Sequence, residues 1–193
     1  MSILDQIYEK AKQNPQRVAF PEAENEKMMQ AAYETGKDGY IIPILVGDAK
    51  KLKDLSEERG YDSSVFRFVD IQEEEYKNKL IGMYVAQPGR FLKEKALARR
   101  MQDPLYYAMV MQAVEEAEVT FAGIDNTTGD VLLAGQMIIG MQPGSARSPV
   151  SDSATFRDLR AAREVFWQWE TARYVPIRMQ NSLRALRSPR ATR

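Results

Sequence analysis

The chain has 193 residues, 44% of them apolar and 28% charged, with zero formal net charge; this is enough for one ordinary domain with a core and argues against a disordered chain. It has no Cys and no His, which excludes thiol nucleophiles, imidazole bases, disulfides and the usual zinc ligands. The opening MSILDQIYEKAKQNPQR has no apolar signal region and no stretch approaches the roughly 18 apolar residues of a membrane span, so a cytoplasmic protein that does not enter a membrane is expected.

Ile3 to Asn14 reads as a helix, with Ile3, Ile7, Tyr8 and Ala11 on one face and Ser2 as N-cap. Arg17 to Phe20 is a short strand stopped by Pro21, and Asn25 to Thr35 is a second helix ended by Gly36. Ile41 to Val46 (IIPILV) is an apolar run of strand length, bounded by Gly47-Asp48. Ala49 to Arg59 is helical and Gly60 closes it; Phe66 to Ile71 is a third strand. Helices follow over Glu73 to Gln87 and Phe91 to Met101, parted by Pro88-Gly89. Asp103 caps another, with Pro104 at its first position, running to Ala117. Val119 to Ile124 is a fourth strand, and Thr127 to Met141 is a helix ended by Pro143-Gly144. Strands alternate with crossovers long enough for parallel pairing, which predicts an α/β fold: a parallel sheet with helices on both faces.

Ligands of open parallel sheets gather at the carboxyl ends of the strands. Three segments qualify: Phe20 to Lys27, Leu45 to Leu52 and Phe121 to Gly135. In the third, Asp125, Asn126, Thr127 and Thr128 lie between a strand and a helix, where free N–H groups and hydroxyls suit an anion such as phosphate. The plainer alternative is that Asn126 or Thr127 only caps the helix. Glu22 and Lys27 read as a turn acid and a solvated helix base, and Gly47-Asp48 as a turn with an N-cap. Tyr106, Tyr107, Met109 and Met111 suit a packed helix face; Lys93, Lys95, Arg99 and Arg100 suit a solvated one that could attract a phosphate-bearing ligand.

RVAFPEAEN, PILVGD, MQDPLYYAMVM and, most specifically, AGIDNTTGDVLLAGQMIIGMQPG make the stretch from about Ile3 to Pro143 resemble the phosphate acetyltransferase and phosphate butyryltransferase family. The resemblance implies most of the first domain of a two-domain enzyme, and the reaction acyl-CoA plus phosphate to acyl phosphate plus CoA. It implies no metal or bound cofactor, with CoA as substrate, and homo-oligomers for intact members. In the family an aspartate deprotonates the CoA thiol, while arginines and a serine hold phosphate. The serine, the aspartate and most of those arginines belong to the later part of the family's chain and have no match here, so no catalytic residue is assigned. Family acetyltransferases carry an Arg shortly after the Thr-Thr pair; Asp130-Val131-Leu132-Leu133 stands here, which leaves another acyl branch open.

Composition shifts at Pro143. Residues 1–143 carry 17 basic and 23 acidic side chains; residues 144–193 carry 10 Arg, 4 acidic residues, no Lys and both Trp. The second segment reads as the product of a shifted reading frame. Triplets built from the third base of one codon and the first two of the next permit Ile-Ser-Thr-Val-Ser-Ser-Ile-Gly over Gly144 to Asp152, the family's expected continuation. Trp167-Gln168 then forces Ala, Trp169-Glu170 forces Gly and Met179-Gln180 forces Ala, and all three fit the family's middle segment. Such a tail is expected to be poorly ordered. The rivals are a basic nucleic-acid-binding tail, which lacks any regular module, and a docking helix around Phe156 to Arg173. With one wall of its cleft missing, the chain is expected to lack activity and to expose apolar surface; a non-catalytic ligand- or partner-binding fragment is the alternative.

Overall fold

A computed structural model describes residues 3–90, 92–140, 150–158 and 163–171. Its elements in chain order are α1 (Ile3–Gln13), β1 (Gln16–Phe20), α2 (Glu26–Lys37), β2 (Ile41–Gly47), α3 (Ala49–Glu58), a 3₁₀ turn (Ser63–Val65), β3 (Arg67–Asp70), α4 (Glu74–Val85), α5 (Glu94–Arg100), α6 (Pro104–Ala113), β4 (Val119–Thr120) and α7 (Thr128–Ile138). Four strands form one parallel sheet in the order β3-β2-β1-β4. Val18 stands opposite Pro43 on one side and Val119 on the other.

Alternation along the strands divides the core into two layers. Ala19, Ile44, Val46 and Val69 face α4, α5, α6 and α7, packing on Leu80, Tyr84, Leu97, Tyr107 and Ile138. Val18, Phe20 and Leu45 face α2 and α3, packing on Met28, Met29, Ala32 and Leu52. The helices therefore cover both faces, as expected. Tyr106, Tyr107, Met109 and Met111 are all buried, because α6 lies against the centre of the sheet and its apolar residues run almost all round. On α1, by contrast, Ile7 and Tyr8 are about half exposed, and Tyr8 meets Tyr40 at 5.0 Å.

The chain moves outward from β1 to β2 and β3 through α2 and α3 on one face. It then returns along the other face, through α4 to α6, to place β4 on the far side of β1. The strand order reverses between β1 and β4, so a crevice opens at their carboxyl ends.

Several boundaries differ from the sequence reading. Gly36 does not end α2 but lies inside its last turn, and Gly39, at φ +76°, makes the turn. A Cβ on Gly36 would stand 2.7 Å from Pro43 Cγ and 2.9 Å from Val65 Cγ1, so close packing rather than termination explains this glycine. Helix α6 ends at Ala113 instead of Ala117, after which Glu115 takes φ 65° and Arg17 donates to the Glu115 carbonyl at 2.8 Å. Strand β4 stops at Thr120 instead of Ile124: Phe121 N–H still bonds the Ala19 carbonyl at 2.9 Å, but beyond it the N–H groups of Gly123 and Ile124 bond the side chain of Glu22 after β1. Helix α5 begins at Glu94, after Lys93, rather than near Phe91. Ser2, Phe91 and the Pro143-Gly144 stop lie outside the described residues.

In the tail, β5 (Val150–Asp158) and β6 (Arg163–Thr171) pair antiparallel as a separate two-stranded sheet, with Val150 opposite Thr171 and Asp158 opposite Arg163. Within the stretch considered for a docking helix, around Phe156 to Arg173, residues 156–158 and 163–171 are strand; the β-branched and aromatic residues of VFWQWET favour a pleated ribbon.

Candidate functional site

Strand β1 delivers Pro21 and Glu22 to the crevice, and β4 delivers the segment Phe121 to Thr127 from the other side. Glu22 is only 6% exposed, yet it is charged chemistry placed under a loop. Its carboxylate accepts from the N–H groups of Gly123 at 2.9 Å, Ile124 at 2.8 Å and Asn126 at 2.9 Å, and from the Asn126 side-chain amide at 2.7 Å. Burial pushes the Glu22 carboxyl up, but the donors of Ile124, Asn126 and Gly123 outweigh it and hold the group below the usual glutamate range. A second tie runs beside it: Asn25 donates its amide to Asp125 at 2.8 Å, while its oxygen caps α2 by accepting from Lys27 N at 3.1 Å.

The structure therefore brings Asp125, Asn126, Thr127 and Thr128 into one loop at the reversal of strand order, the place where the sequence puts a candidate anion site. It also shows how their polar groups are used. Asn126 is bound to Glu22 and Asp125 to Asn25. Thr127 is the N-cap of α7 and forms a capping box with Asp130: Thr127 Oγ1 accepts from Asp130 N at 3.2 Å, and Asp130 accepts from Thr127 N at 3.3 Å and from Thr127 Oγ1 at 2.6 Å. The capping alternative thus holds for Thr127. Thr128 opens α7 and is exposed. With Asp130 N taken by the cap, Thr128 and Gly129 supply the remaining N–H groups of the first turn.

Sequence reasoning missed Glu22, which it took as a turn acid. The available signal was its place: an acid directly after a strand and Pro21, with no local basic partner, at the end of the strand that becomes central. The other candidates serve elsewhere. Asp48 caps α3, accepting from Lys51 N at 3.0 Å. Lys93, Lys95, Arg99 and Arg100 lie exposed around α5, with Arg100 over the Tyr106 ring at 5.1 Å. Arg90, which the sequence did not single out, donates to the carbonyls of Ile138 at 3.0 Å, Ile139 at 2.9 Å and Ala113 at 3.2 Å, and lies 4.9 Å over Tyr84. It fixes the carboxyl end of α7 against α6.

Beside the crevice is an apolar hollow of about 340 Å³, between Lys27, Met28 and Ala31 of α2 and Phe121, Gly123 and Ile124 of the loop. Phe121 is 54% exposed and lies 5.8 Å from the buried Phe20 ring. Among the described residues no group of three or more Asp or Glu could hold a metal ion, and no helix is long and apolar enough to cross a membrane.

The fold matches two solved structures: the EutD phosphotransacetylase of Staphylococcus aureus (TM-score 0.71, 20% identity, 84% of this chain and 48% of that one) and a phosphotransacetylase of Streptococcus pyogenes (TM-score 0.70, 19% identity, 86% and 51%). Among curated proteins, the phosphate acetyltransferase of Acetivibrio thermocellus is 29% identical over 147 residues, covering 75% of this chain and 43% of the relative. That of Staphylococcus epidermidis is 26% identical over 133 residues, covering 68% and 40%. The chain thus spans about two fifths of the length of these relatives. A family model described as phosphate acetyl/butaryl transferase matches residues 2–152, a little past the change of composition at Pro143. With that match over most of its length and the same α/β fold, the chain belongs to the phosphate acetyl/butaryl transferase family.

Proposed function

We propose that this chain supplies one wall of a phosphate acyltransferase site, for the reaction in which a phosphate oxygen attacks the thioester carbon of acyl-CoA and the CoA sulfur leaves. The family match over residues 2–152 is the observation that carries this reading. The loop at the strand reversal supports it. The Glu22 clasp and the Asn25–Asp125 tie hold the loop in one shape, so Thr128 presents its hydroxyl and the first-turn N–H groups of α7 from a fixed position. Such donors favour an oxyanion, and Lys27 lies at the rim of the neighbouring hollow. Asp125 and Asp130 oppose an anion, so the loop alone is a weak phosphate site that needs cations from another segment.

On this reading the 193-residue chain does not turn over acyl-CoA by itself, since a single wall neither orients both substrates nor excludes water. The test compares two purified proteins, assayed for CoA thiol release from acetyl-CoA or butyryl-CoA with phosphate. One is this chain; the other is the product of the coding DNA with the shifted frame followed from the codon of Pro143. Turnover only in the second is expected. Turnover in the 193-residue chain refutes its inactivity, and none in either refutes the acyltransferase reading.

A further inference from the structure

Lys27 and Ala31 stand one turn apart on α2, with Met28 beside them, and the three line the apolar hollow of about 340 Å³ opposite Phe121 and Ile124. The Lys27 side chain is exposed at the rim, and its amine has no ion pair, hydrogen bond or ring contact among the described residues. Other lysines are engaged: Lys51 pairs with Glu24, Lys77 with Glu74 and Lys79 with Glu116, while Lys12 and Lys37 lie over tyrosine rings. An accessible amine beside a carbon-lined recess suits an electrophile that carries a short apolar chain. An apolar cavity of about 150 Å³ accommodates benzene, so this hollow has room for a four-carbon chain.

We propose that Lys27 is a site of covalent acylation by a short-chain acyl phosphate, with the acyl chain seated in the hollow. The neutral amine of Lys27 attacks the carbonyl carbon of the acyl phosphate. The C–N bond forms, the bond from that carbon to the phosphate oxygen breaks, phosphate leaves with the electron pair, and the surplus proton on nitrogen passes to water. The product is a neutral amide whose chain lies against Met28, Phe121 and Ile124. It abolishes the positive charge of Lys27, so accumulation of acyl phosphate removes from this wall a cation that draws anions to it. The source of the acyl phosphate rests on the acyltransferase reading; the reactivity of Lys27 does not.

Chain length distinguishes this site from ordinary surface reactivity. Each methylene buried in an apolar recess favours binding by about fourfold, so butyryl, with two methylenes more than acetyl, gains about tenfold where the hollow receives it. A lysine without a recess reacts with both alike. The experiment incubates the full 193-residue chain with acetyl phosphate or butyryl phosphate, without CoA, and reads the initial acylation rate at each lysine by peptide mass spectrometry. Lys27 should prefer butyryl by about tenfold, while Lys50 and Lys53, exposed on α3, show a ratio of about one. Ala31→Phe, at an exposed position, narrows the hollow and should bring the Lys27 ratio down to that of Lys50. Phe121→Ala removes one wall and should lower it by about threefold. Far-UV circular dichroism shows that each variant is folded. Equal ratios at all lysines overturn the proposal, and so does a Lys27 preference that survives both variants. Selective Lys27 acylation, if the frame-restored protein shows no acyl transfer, keeps the modification site and sinks only the acyltransferase reading.

Discussion

Replacing Glu22 probes the clasp most directly. Its carboxylate serves four donors, the N–H groups of Gly123, Ile124 and Asn126 and the Asn126 amide, at 2.7 to 2.9 Å. Hydrogen bonds to a charged group contribute about 1.5–3 kcal/mol each, but not additively. Gly123 and Ile124 are exposed, so water can reach some of the donors once the carboxylate is gone. Taking two of the four bonds as unreplaced, at the lower end of that range because they are not additive, gives about 3–4 kcal/mol for Glu22→Ala. Glu22→Gln keeps one acceptor oxygen and turns an amide N–H₂ toward other donors, for about 2 kcal/mol. The assay is urea unfolding of the full chain followed by far-UV circular dichroism. With a slope near 2 kcal/mol per molar, Glu22→Ala lowers the midpoint by about 1.5–2 M. Amide exchange at Gly123, Ile124 and Asn126 should quicken in both variants. A Glu22→Ala midpoint within about 0.3 M of the parent, with unchanged exchange at those amides, would refute the clasp as a stabilising element.

The same carboxylate sets a pH dependence. Its folded-state pKa lies below the unfolded value, so its contribution is fully present above the ordinary glutamate range and is lost as pH falls through the lowered value. Acid titration of stability should therefore be steeper in the parent than in Glu22→Gln; parallel curves would count against it. Thr127→Ala removes the α7 cap and should cost about 1 kcal/mol in urea unfolding, whereas Thr127→Ser should cost little; equal losses would contradict the capping role. Gly36→Ala should destabilise by about 1–2 kcal/mol although alanine favours helix, because its Cβ would meet Pro43 Cγ at 2.7 Å. A gain in thermal midpoint would show that Pro43 and Val65 yield easily.

Much of the fold was legible because local signals agreed with one another. IIPILV is apolar, β-branched and bounded by Gly47, so β2 emerges almost residue for residue. Asn25, Asp48 and Asp103 cap the helices that follow them, which fixes three starts from residue type alone. The misses share a cause: partners far away in sequence. Gly36 answers to Pro43 and Val65, the early end of α6 accompanies Arg17 bonding the Glu115 carbonyl, and the short β4 answers to Glu22. At the site, Thr127 could be recognised as a cap from its position before an apolar helix. Its joining to Asn126 and Asp125 into a loop pinned by Glu22 and Asn25 spans about 100 residues, and no local window contains that.

The sheet order also dictates a schedule of assembly. Val18 finds Pro43 early, but its other neighbour, Val119, is 101 residues away. At ribosomal rates of about 5–20 residues per second, β1 waits on the order of 5–20 s between its own synthesis and the arrival of β4. Throughout that interval the nascent chain carries β1 with one edge unpaired, and closing so long a loop is entropically slow. The vulnerable stage for this sequence is therefore the growing polypeptide rather than the finished domain. Synonymous codon changes that slow translation between α4 and α6 should raise the insoluble fraction without altering the urea midpoint of the protein that does fold.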